Sequence, residues 1–272
     1  MCDRIGVGRG WWRGRVRRAQ VVARLREWGA PTLDLIRRVV YSYLGYSSPA
    51  DVVILESNRD ALRASRGMCL PHTAMLAEGR SALGVAILSR KPLEDVTCDI
   101  PGFADEQKRI IAGTLDGVRV VCGYFPNGQA VGSDKFAYKM AWLEALTAWL
   151  KTELQSTPQL VLAGDYNVAP EDRDAHPDWK DEIHVSVPER AAFQALIGLG
   201  LRDAFRLFEQ EDRSYSWWDY RMGAFRRNFG LRIDHLLLSP PLVERCVACY
   251  TDKEPRKLER PSDHTPVVVE LQ

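Results

Sequence analysis

From residue 50 onward the chain alternates short apolar runs with turn-forming residues, and this rhythm restricts its fold more than any other feature. Asp51-Val-Val-Ile-Leu55 reads as a buried strand, and so do Leu83–Leu88, Arg109–Leu115, Val118–Tyr124 and Leu160–Ala163. Asp116-Gly117 separates two of these runs. Asp-Gly is a favoured two-residue hairpin turn, so those strands are expected to be antiparallel neighbours. Ser214–Trp218, Ile233–Leu238, Val243–Tyr250 and Pro266–Leu271 read as further strands. Helices are fewer and longer. Across Asp134–Leu154, Phe136, Met140, Leu143, Leu146 and Leu150 recur at helical spacing, and Ser133 or Asp134 can cap the start. Ser186-Val-Pro-Glu189 is a capping-box pattern that opens a second helix running through Ile197. Many strands, few long helices and hairpins instead of strict βαβ alternation predict an α/β sandwich built on mixed sheets.

Residues 1–49 do not share the rhythm. Gln20–Trp28 reads as an amphipathic helix, and the Gly- and Arg-rich stretch Gly6–Arg13 before it reads as a loop. Residues 1–40 hold ten Arg and no Lys against Asp3, Glu27 and Asp34, although the 272-residue chain as a whole carries a net charge of only +1. The first 49 residues are therefore set apart as atypical, either disordered or misread, within what is otherwise one domain over 1–272. At 46% apolar and 27% charged residues the chain is not an intrinsically disordered protein or a disulfide-dense miniprotein. No run approaches 18 uninterrupted apolar residues, which excludes a membrane-spanning helix.

The six Cys are sparse, and Cys98 and Cys122 lie in strand-like runs where a thiol acts as a small hydrophobe. Cys246 and Cys249 form one CxxC with no second pair to complete a zinc site, so two thiols in a late strand is the favoured reading. The N-terminus lacks the apolar stretch of a secretory signal. A reducing cytoplasm is the expected compartment.

The chemistry is carried by polar residues at strand ends. Gly164-Asp165-Tyr166-Asn167 follows an apolar strand directly; it is either a turn or a carboxylate and carboxamide converging on one site. Asp234 interrupts an apolar strand, and a buried carboxylate needs a partner: a structural cation or an imidazole. Asp263-His264 precedes the last strand, as a surface turn or as a metal ligand beside a titratable ring. Tyr124 ends a fourth strand, where Tyr is more often core than catalyst. His72, His176, His184 and His235 have no comparable context and read as structural or exposed. Taken together the set offers oxygen ligands and one acid/base, which suits Mg²⁺ or Mn²⁺ better than zinc. It fits phosphoester hydrolysis.

Gly123-Tyr-Phe-Pro-Asn-Gly-Gln129, Lys135-Phe136, Gly164-Asp-Tyr-Asn167, Ser216-Trp-Trp-Asp-Tyr-Arg221, Gly230-Leu-Arg-Ile-Asp234 and Pro261-Ser-Asp-His264 resemble, in order and spacing, the exodeoxyribonuclease III family. This is the apurinic/apyrimidinic (AP) endonuclease branch of the endonuclease/exonuclease/phosphatase superfamily. The match spans roughly residues 83–272. The resemblance implies a four-layer α/β sandwich, two mixed sheets face to face with helices outside. It implies a Mg²⁺-dependent DNA-repair phosphodiesterase that cleaves 5′ to abasic sites and degrades duplex DNA 3′→5′. The expected partner is double-stranded DNA with abasic sites or 3′ ends, met by a cytoplasmic, nucleoid-associated monomer with no membrane contact.

By the same resemblance Tyr124, Asp165, Asn167, Asp234 and His264 are catalytic. Asp165 activates water, Asn167 orients it or stabilises the transition state, Tyr124 contacts the scissile phosphate, and Asp234 holds His264. Glu56, Asp165, Asn167, Asp263 and His264 form the metal set. Lys139, Trp217, Trp218, Arg221, Arg226, Arg227 and Asn228 face DNA. Arg232 joins the Arg cluster, since residues 221–232 hold four Arg and no acid. A basic patch of this kind supplies phosphate contacts.

The N-terminal third departs from the family pattern. The family's first strand carries an Asn that helps build the metal site, whereas Gly8-Arg-Gly-Trp-Trp-Arg-Gly14 has none, and Leu83 replaces a customary Asn. Glu56 is the nearest match to the family's metal-binding Glu. A second reading is therefore a catalytically impaired relative that binds DNA without an intact metal site. Glu56 separates the two readings by reaching Asp165 and Asp263 or failing to.

Overall fold

The computed structural model describes residues 20–25, 51–56, 85–89, 93–257 and 261–272. Two sheets face each other. The first is five-stranded: β1 (Gln20–Leu25), β2 (Asp51–Glu56), β3 (Val85–Ser89), β10 (Cys246–Thr251) and β11 (Val267–Leu271), in the order β10-β11-β1-β2-β3. The second is six-stranded: β4 (Glu94–Cys98), β5 (Ile110–Leu115), β6 (Val118–Tyr124), β7 (Leu160–Asp165), β8 (Arg202–Asp203) and β9 (Asp234–Leu238), in the order β4-β5-β6-β7-β9-β8. Both sheets mix parallel and antiparallel pairs. Helices α1 (Asp134–Ser156) and α2 (Val187–Gly198) cover the outer face of the second sheet. This is the α/β sandwich that the strand rhythm predicts.

The layering follows from alternation along the strands. Val161 and Ala163 of β7 turn toward the first sheet and pack with Ile87, Val120, Val267 and Val269. Leu160 and Leu162, one residue out of phase, pack outward under Trp142, Leu146 and Leu150 of α1 and Phe193 of α2. Both faces of the central strands are thus buried, which is why they read as continuous apolar runs. The β5–β6 hairpin turns at Asp116 and Gly117 with φ of 49° and 78°, the double left-handed geometry that Asp-Gly accepts. Ser133 Oγ caps α1 by accepting from Phe136 N, and Ser186 and Glu189 close the capping box of α2.

Two elements differ from expectation. Gln20–Leu25 is a strand, not part of a helix through Trp28; Trp28 lies outside the described residues, as do Gly6–Arg13, His72 and Leu83. Val21 and Val22 are β-branched, and β1 bonds parallel to β11 on one side and β2 on the other. That tertiary pairing overrides a local helical spacing. Ser214–Trp218 belongs to neither sheet; Trp217 forms only isolated bridges, to Leu231 and His264. The edge strands β4 and β8 have no apolar alternation to announce them: β4 is Glu-Asp-Val-Thr-Cys and β8 only two residues.

Candidate active site

Three neighbouring strands end level with one another. Tyr124 ends β6 directly beside Asp165 of β7, and Asp165 lies opposite Asp234, the first residue of β9. Strand register alone therefore lines a phenol and two carboxylates along one sheet edge. The β7 end turns sharply. Gly164 has φ 143°, and a Cβ there would sit 1.8 Å from the Gly123 carbonyl oxygen, so only glycine passes. Asn167 then takes φ 50°, a left-handed conformation that Asn tolerates. Its backbone N–H donates to Asp165 Oδ1 (2.8 Å) and its Nδ2 to Asp165 Oδ2 (2.9 Å), and Nδ2 also donates to the Phe125 carbonyl (3.1 Å). Asn127 Nδ2 donates to Asn167 Oδ1 at 3.2 Å.

His264 arrives from the segment before β11. Its Nδ1 donates to Asp234, 3.0 and 3.2 Å from the two carboxylate oxygens. Ser216 Oγ accepts from the backbone of both Ile233 and Asp234, Trp218 N donates to the Asp263 carbonyl, and Thr265 N donates to the Ser216 carbonyl. The Trp-rich segment is thus the clasp that joins the Asp234 strand to Asp263-His264. Ligand atoms of Asp165, Asp234 and His264 all lie within 4.8 Å of one another, and all three residues are buried.

Burial sets the proton affinities. Desolvation pushes the Asp165 carboxyl up to about 7, against the opposing pull of the His264 charge and with a further push from Asp234. Desolvation opposes charge on His264 as well, but the adjacent Asp234 carboxylate outweighs it and raises the ring to about 10. At neutral pH the site therefore holds an imidazolium beside a carboxyl group poised to gain or lose a proton.

A divalent cation has a place here. Asp263 is buried; its Oδ2 accepts from Trp217 Nε1 (3.2 Å), while its Oδ1 has no hydrogen-bond partner among the described residues. A buried carboxylate oxygen without a donor is costly unless something positive meets it. Oxygen donors from Asp165, Asp263 and the amide of Asn167 suit a hard ion, whereas the protonated His264 ring, expected as a fifth ligand with Glu56, offers it no lone pair.

The backbone of Glu56 lies on the first sheet. It closes β2 level with Arg24 and Glu270, whereas His264 precedes the first residue of β11, at the other end of the sheet. Along β11 the interval from His264 to Glu270 is about 20 Å at the rise of an extended strand.

Several expected DNA contacts also sit elsewhere. Lys139 is fully buried, its Nζ on Glu189 Oε1 at 2.5 Å. Trp218 is buried with Nε1 donating to Asn228 Oδ1, and Asn228 Nδ2 donates to the Arg213 carbonyl, so both residues brace their own loop. Arg232 is buried between Asp174 and Asp203. Arg221, Arg226 and Arg227 are exposed, and Trp217 is half-buried against His264.

His184 is a residue that the sequence pattern missed. Its buried ring donates through Nδ1 to the Asn167 carbonyl at 2.7 Å, with Nε2 3.4 Å from Asn127 Nδ2. Nothing near His184 in sequence signals this. Asn127 stands inside the Gly123–Gln129 motif, but the sequence reading assigns a role there only to Tyr124.

Comparison with known proteins agrees with this geometry. The endonuclease/exonuclease/phosphatase family matches over residues 13–264. The chain belongs to that family. Within it, the relatives are those of the exodeoxyribonuclease III and AP-endonuclease branch. Exodeoxyribonuclease III of Haemophilus influenzae is 35% identical over 203 residues, 69% of this chain and 76% of that protein. DNA repair nuclease APEX1 of Danio rerio is 31% identical over 69% of this chain and 60% of its own length. Among solved structures, the 3′ phosphatase NExo from Neisseria, bound to a product DNA hairpin, superposes with a TM-score of 0.71 at 33% identity. That likeness covers 94% of this chain and 99% of NExo. Family and relatives together make the protein a DNA-repair nuclease of a divalent-metal-dependent family.

Proposed function

We propose that this nuclease hydrolyses DNA phosphodiesters 5′ to abasic sites and at 3′ ends of duplexes, with Mg²⁺ as its ion. The observation that carries the reading is the convergence of ligand atoms of Asp165, Asp234 and His264 within 4.8 Å of one another; Asp263, next in sequence to His264, keeps one buried carboxylate oxygen without a hydrogen-bond partner among the described residues.

The residues divide the work by environment. Asp165, with a proton affinity raised to about 7, takes a proton from the attacking water near neutral pH. Asn167 holds both oxygens of that carboxylate through its backbone and side-chain N–H groups, which fixes the direction of attack. His264, kept protonated by Asp234, sets a positive charge against the phosphoryl oxygens as negative charge builds on them. Tyr124, level with Asp165 on the next strand, adds a phenol at the same edge. A bound Mg²⁺, held by oxygens of Asp165, Asn167 and Asp263, would polarise the phosphoryl oxygens, while the protonated His264 ring faces the phosphate instead of the ion. Arg221, Arg226 and Arg227 bear on flanking phosphates, with Trp217 alongside His264.

The test is incision of an abasic-site duplex and of a 3′-labelled blunt duplex, with Mg²⁺ and with EDTA. Wild-type protein should act on both substrates only with the metal. Asp165→Asn should lower the rate by about 10²–10⁴-fold, the usual worth of a general base. Full activity in EDTA, or an undiminished Asp165→Asn, overturns the reading. Duplex binding without incision at any metal concentration favours instead the impaired relative, and the distance between Glu56 and His264 along the sheet is the observation on its side.

A further inference from the structure

Lys139 is a lysine whose ammonium is removed from water. It sits on the inner face of α1, fully buried. Its Nζ makes three contacts: Glu189 Oε1 at 2.5 Å, the Asn167 carbonyl at 2.8 Å and the Asn127 carbonyl at 3.3 Å. Glu189 is equally buried, and its second oxygen accepts from Ser186 N and Oγ at the start of α2. The stem of Lys139 reaches the strand ends past Gly128, where φ is 87° and an added Cβ would lie 3.0 Å from Lys139 Cδ. One ammonium thus ties α1, α2 and the peptides of two active-site amides into a single unit.

The tied peptide follows a residue in the left-handed conformation. Asn167 holds Asp165 only in its left-handed conformation, φ 50°, because that turn aims both its N–H and its Nδ2 at the carboxylate. A residue with a Cβ holds such a conformation where its surroundings favour it, and Asn tolerates it better than most. The carbonyl of this peptide is met by two donors, Lys139 Nζ and His184 Nδ1.

We propose that the buried Lys139–Glu189 pair is a positioning device: it locks the Asn167 peptide in its left-handed turn and so aims the Asp165 carboxylate. The inference rests on the catalytic reading of Asp165 given above. It predicts a defect in turnover without a defect in DNA binding. Replacing a buried ion pair by apolar residues of similar volume leaves stability nearly unchanged, so Lys139→Met/Glu189→Leu removes the lock while keeping the core filled. In steady-state incision of an abasic duplex, kcat should fall about 10–100-fold, the scale of a lost supporting contact or a misplacement near 1 Å. The Kd for the duplex, measured in EDTA, should stay within threefold.

Arg119→Met is the matched control. Arg119 is a buried cation paired with Glu153 at 2.7 Å, but it lies at the far end of β6, five residues or about 17 Å from Tyr124. Its loss should lower thermal stability and leave kcat unchanged. Where the double variant fails to fold, Glu189→Gln keeps the shape and the helix-capping acceptor, and kcat should still fall about three- to tenfold with unchanged Kd. A folded double variant with wild-type kcat overturns the inference. So does a kcat loss no larger than Arg119→Met shows at equal thermal stability, or a Glu189→Gln protein of undiminished kcat. If wild-type protein incises nothing, or Asp165→Asn is fully active, the catalytic reading fails first. If both behave as expected and the Lys139 variants keep full rate, the positioning role alone fails.

Discussion

Lys139 and Arg232 on the one hand, and Arg221, Arg226 and Arg227 on the other, are single positive charges close to one site, and the fold uses them in opposite ways. The first two are buried and saturated by acids: Glu189 for Lys139, Asp174 and Asp203 for Arg232. The last three are exposed on the loop after Trp218. Arg221 pairs there with Asp219, and Arg227 lies over the Phe229 ring. An exposed charge is available to phosphate and is screened by salt; a buried and paired one is neither. Sequence proximity to the DNA-binding motifs therefore says little about which cations meet DNA. The buried pair instead supports the two halves of the reacting edge, Lys139 behind Asn167 and Arg232 two residues ahead of Asp234.

The largest break in this comparison comes from Arg232→Met. Arg232 Nε donates to Asp174 Oδ1 at 2.7 Å and Nη2 to Asp203 Oδ2 at 2.8 Å, so its loss removes the cation between them and leaves the buried Asp174 with Arg206. Removing one partner of a buried pair typically costs about 3–5 kcal/mol. The melting temperature should fall by roughly 10 °C in a domain of this size. If Arg232 contacted phosphate instead, the variant would melt normally and show a shallower salt dependence of DNA binding, the reverse pattern.

A second probe of the same buried cluster is acid. His235 accepts from Arg232 Nη1 through Nδ1 (3.0 Å) and donates through Nε2 to the Val168 carbonyl (2.8 Å), which fixes it as the neutral Nε2–H tautomer. Desolvation first, then the Arg232 charge, lowers its pKa to about 4 from an unperturbed 6.5. Between those values the unfolded chain binds the proton and the folded protein does not. Stability is therefore intact above about pH 6.5 and falls as pH drops toward 4, by up to about 3 kcal/mol from this residue. Denaturant unfolding at pH 7 and pH 4.5 should show the loss, and His235→Asn should shrink it. An unchanged pH slope in the variant would mean that the ring is protonated in the folded protein.

Which parts of this were legible in the sequence follows from the period of each signal. Strands buried on both faces announce themselves by unbroken apolar runs, and Leu160–Asp165 and Asp234–Leu238 were placed within a residue or two. Asp165, Asn167, Asp234 and His264 were legible because each stands where such a run stops, and strand register brings strand ends together without further information. Lys139 and His184 were not. Lys139 occupies a helix position whose neighbours are mixed, and nothing local says that Glu189, fifty residues on, will meet it. Trp218 misled because an aromatic beside basic residues reads as a stacking platform, whereas its indole is used to pin Asn228. Gln20–Trp28 misled because helical spacing over nine residues is a weak signal, which two flanking strands override at Gln20–Leu25.

The smallest effect tests the exposed half of the comparison. Arg226 and Arg227 are both solvent-accessible, and no hydrogen bond ties either side chain down among the described residues. Each phosphate neutralised by such a side chain releases condensed counterions and adds about 0.9 to the slope of log K against log salt on B-DNA. Arg226→Ala/Arg227→Ala should therefore weaken duplex binding at 50 mM salt, flatten the salt slope by about 2, and leave melting temperature and saturating turnover where they were. Each residue removed singly should contribute about half. The readout that matters is the slope and not the affinity at one salt concentration, because loss of loop packing would lower affinity equally at all salts. Parallel salt lines for wild type and variant would mean that these arginines face water, and that the positive charge meeting the DNA backbone comes from elsewhere in the chain.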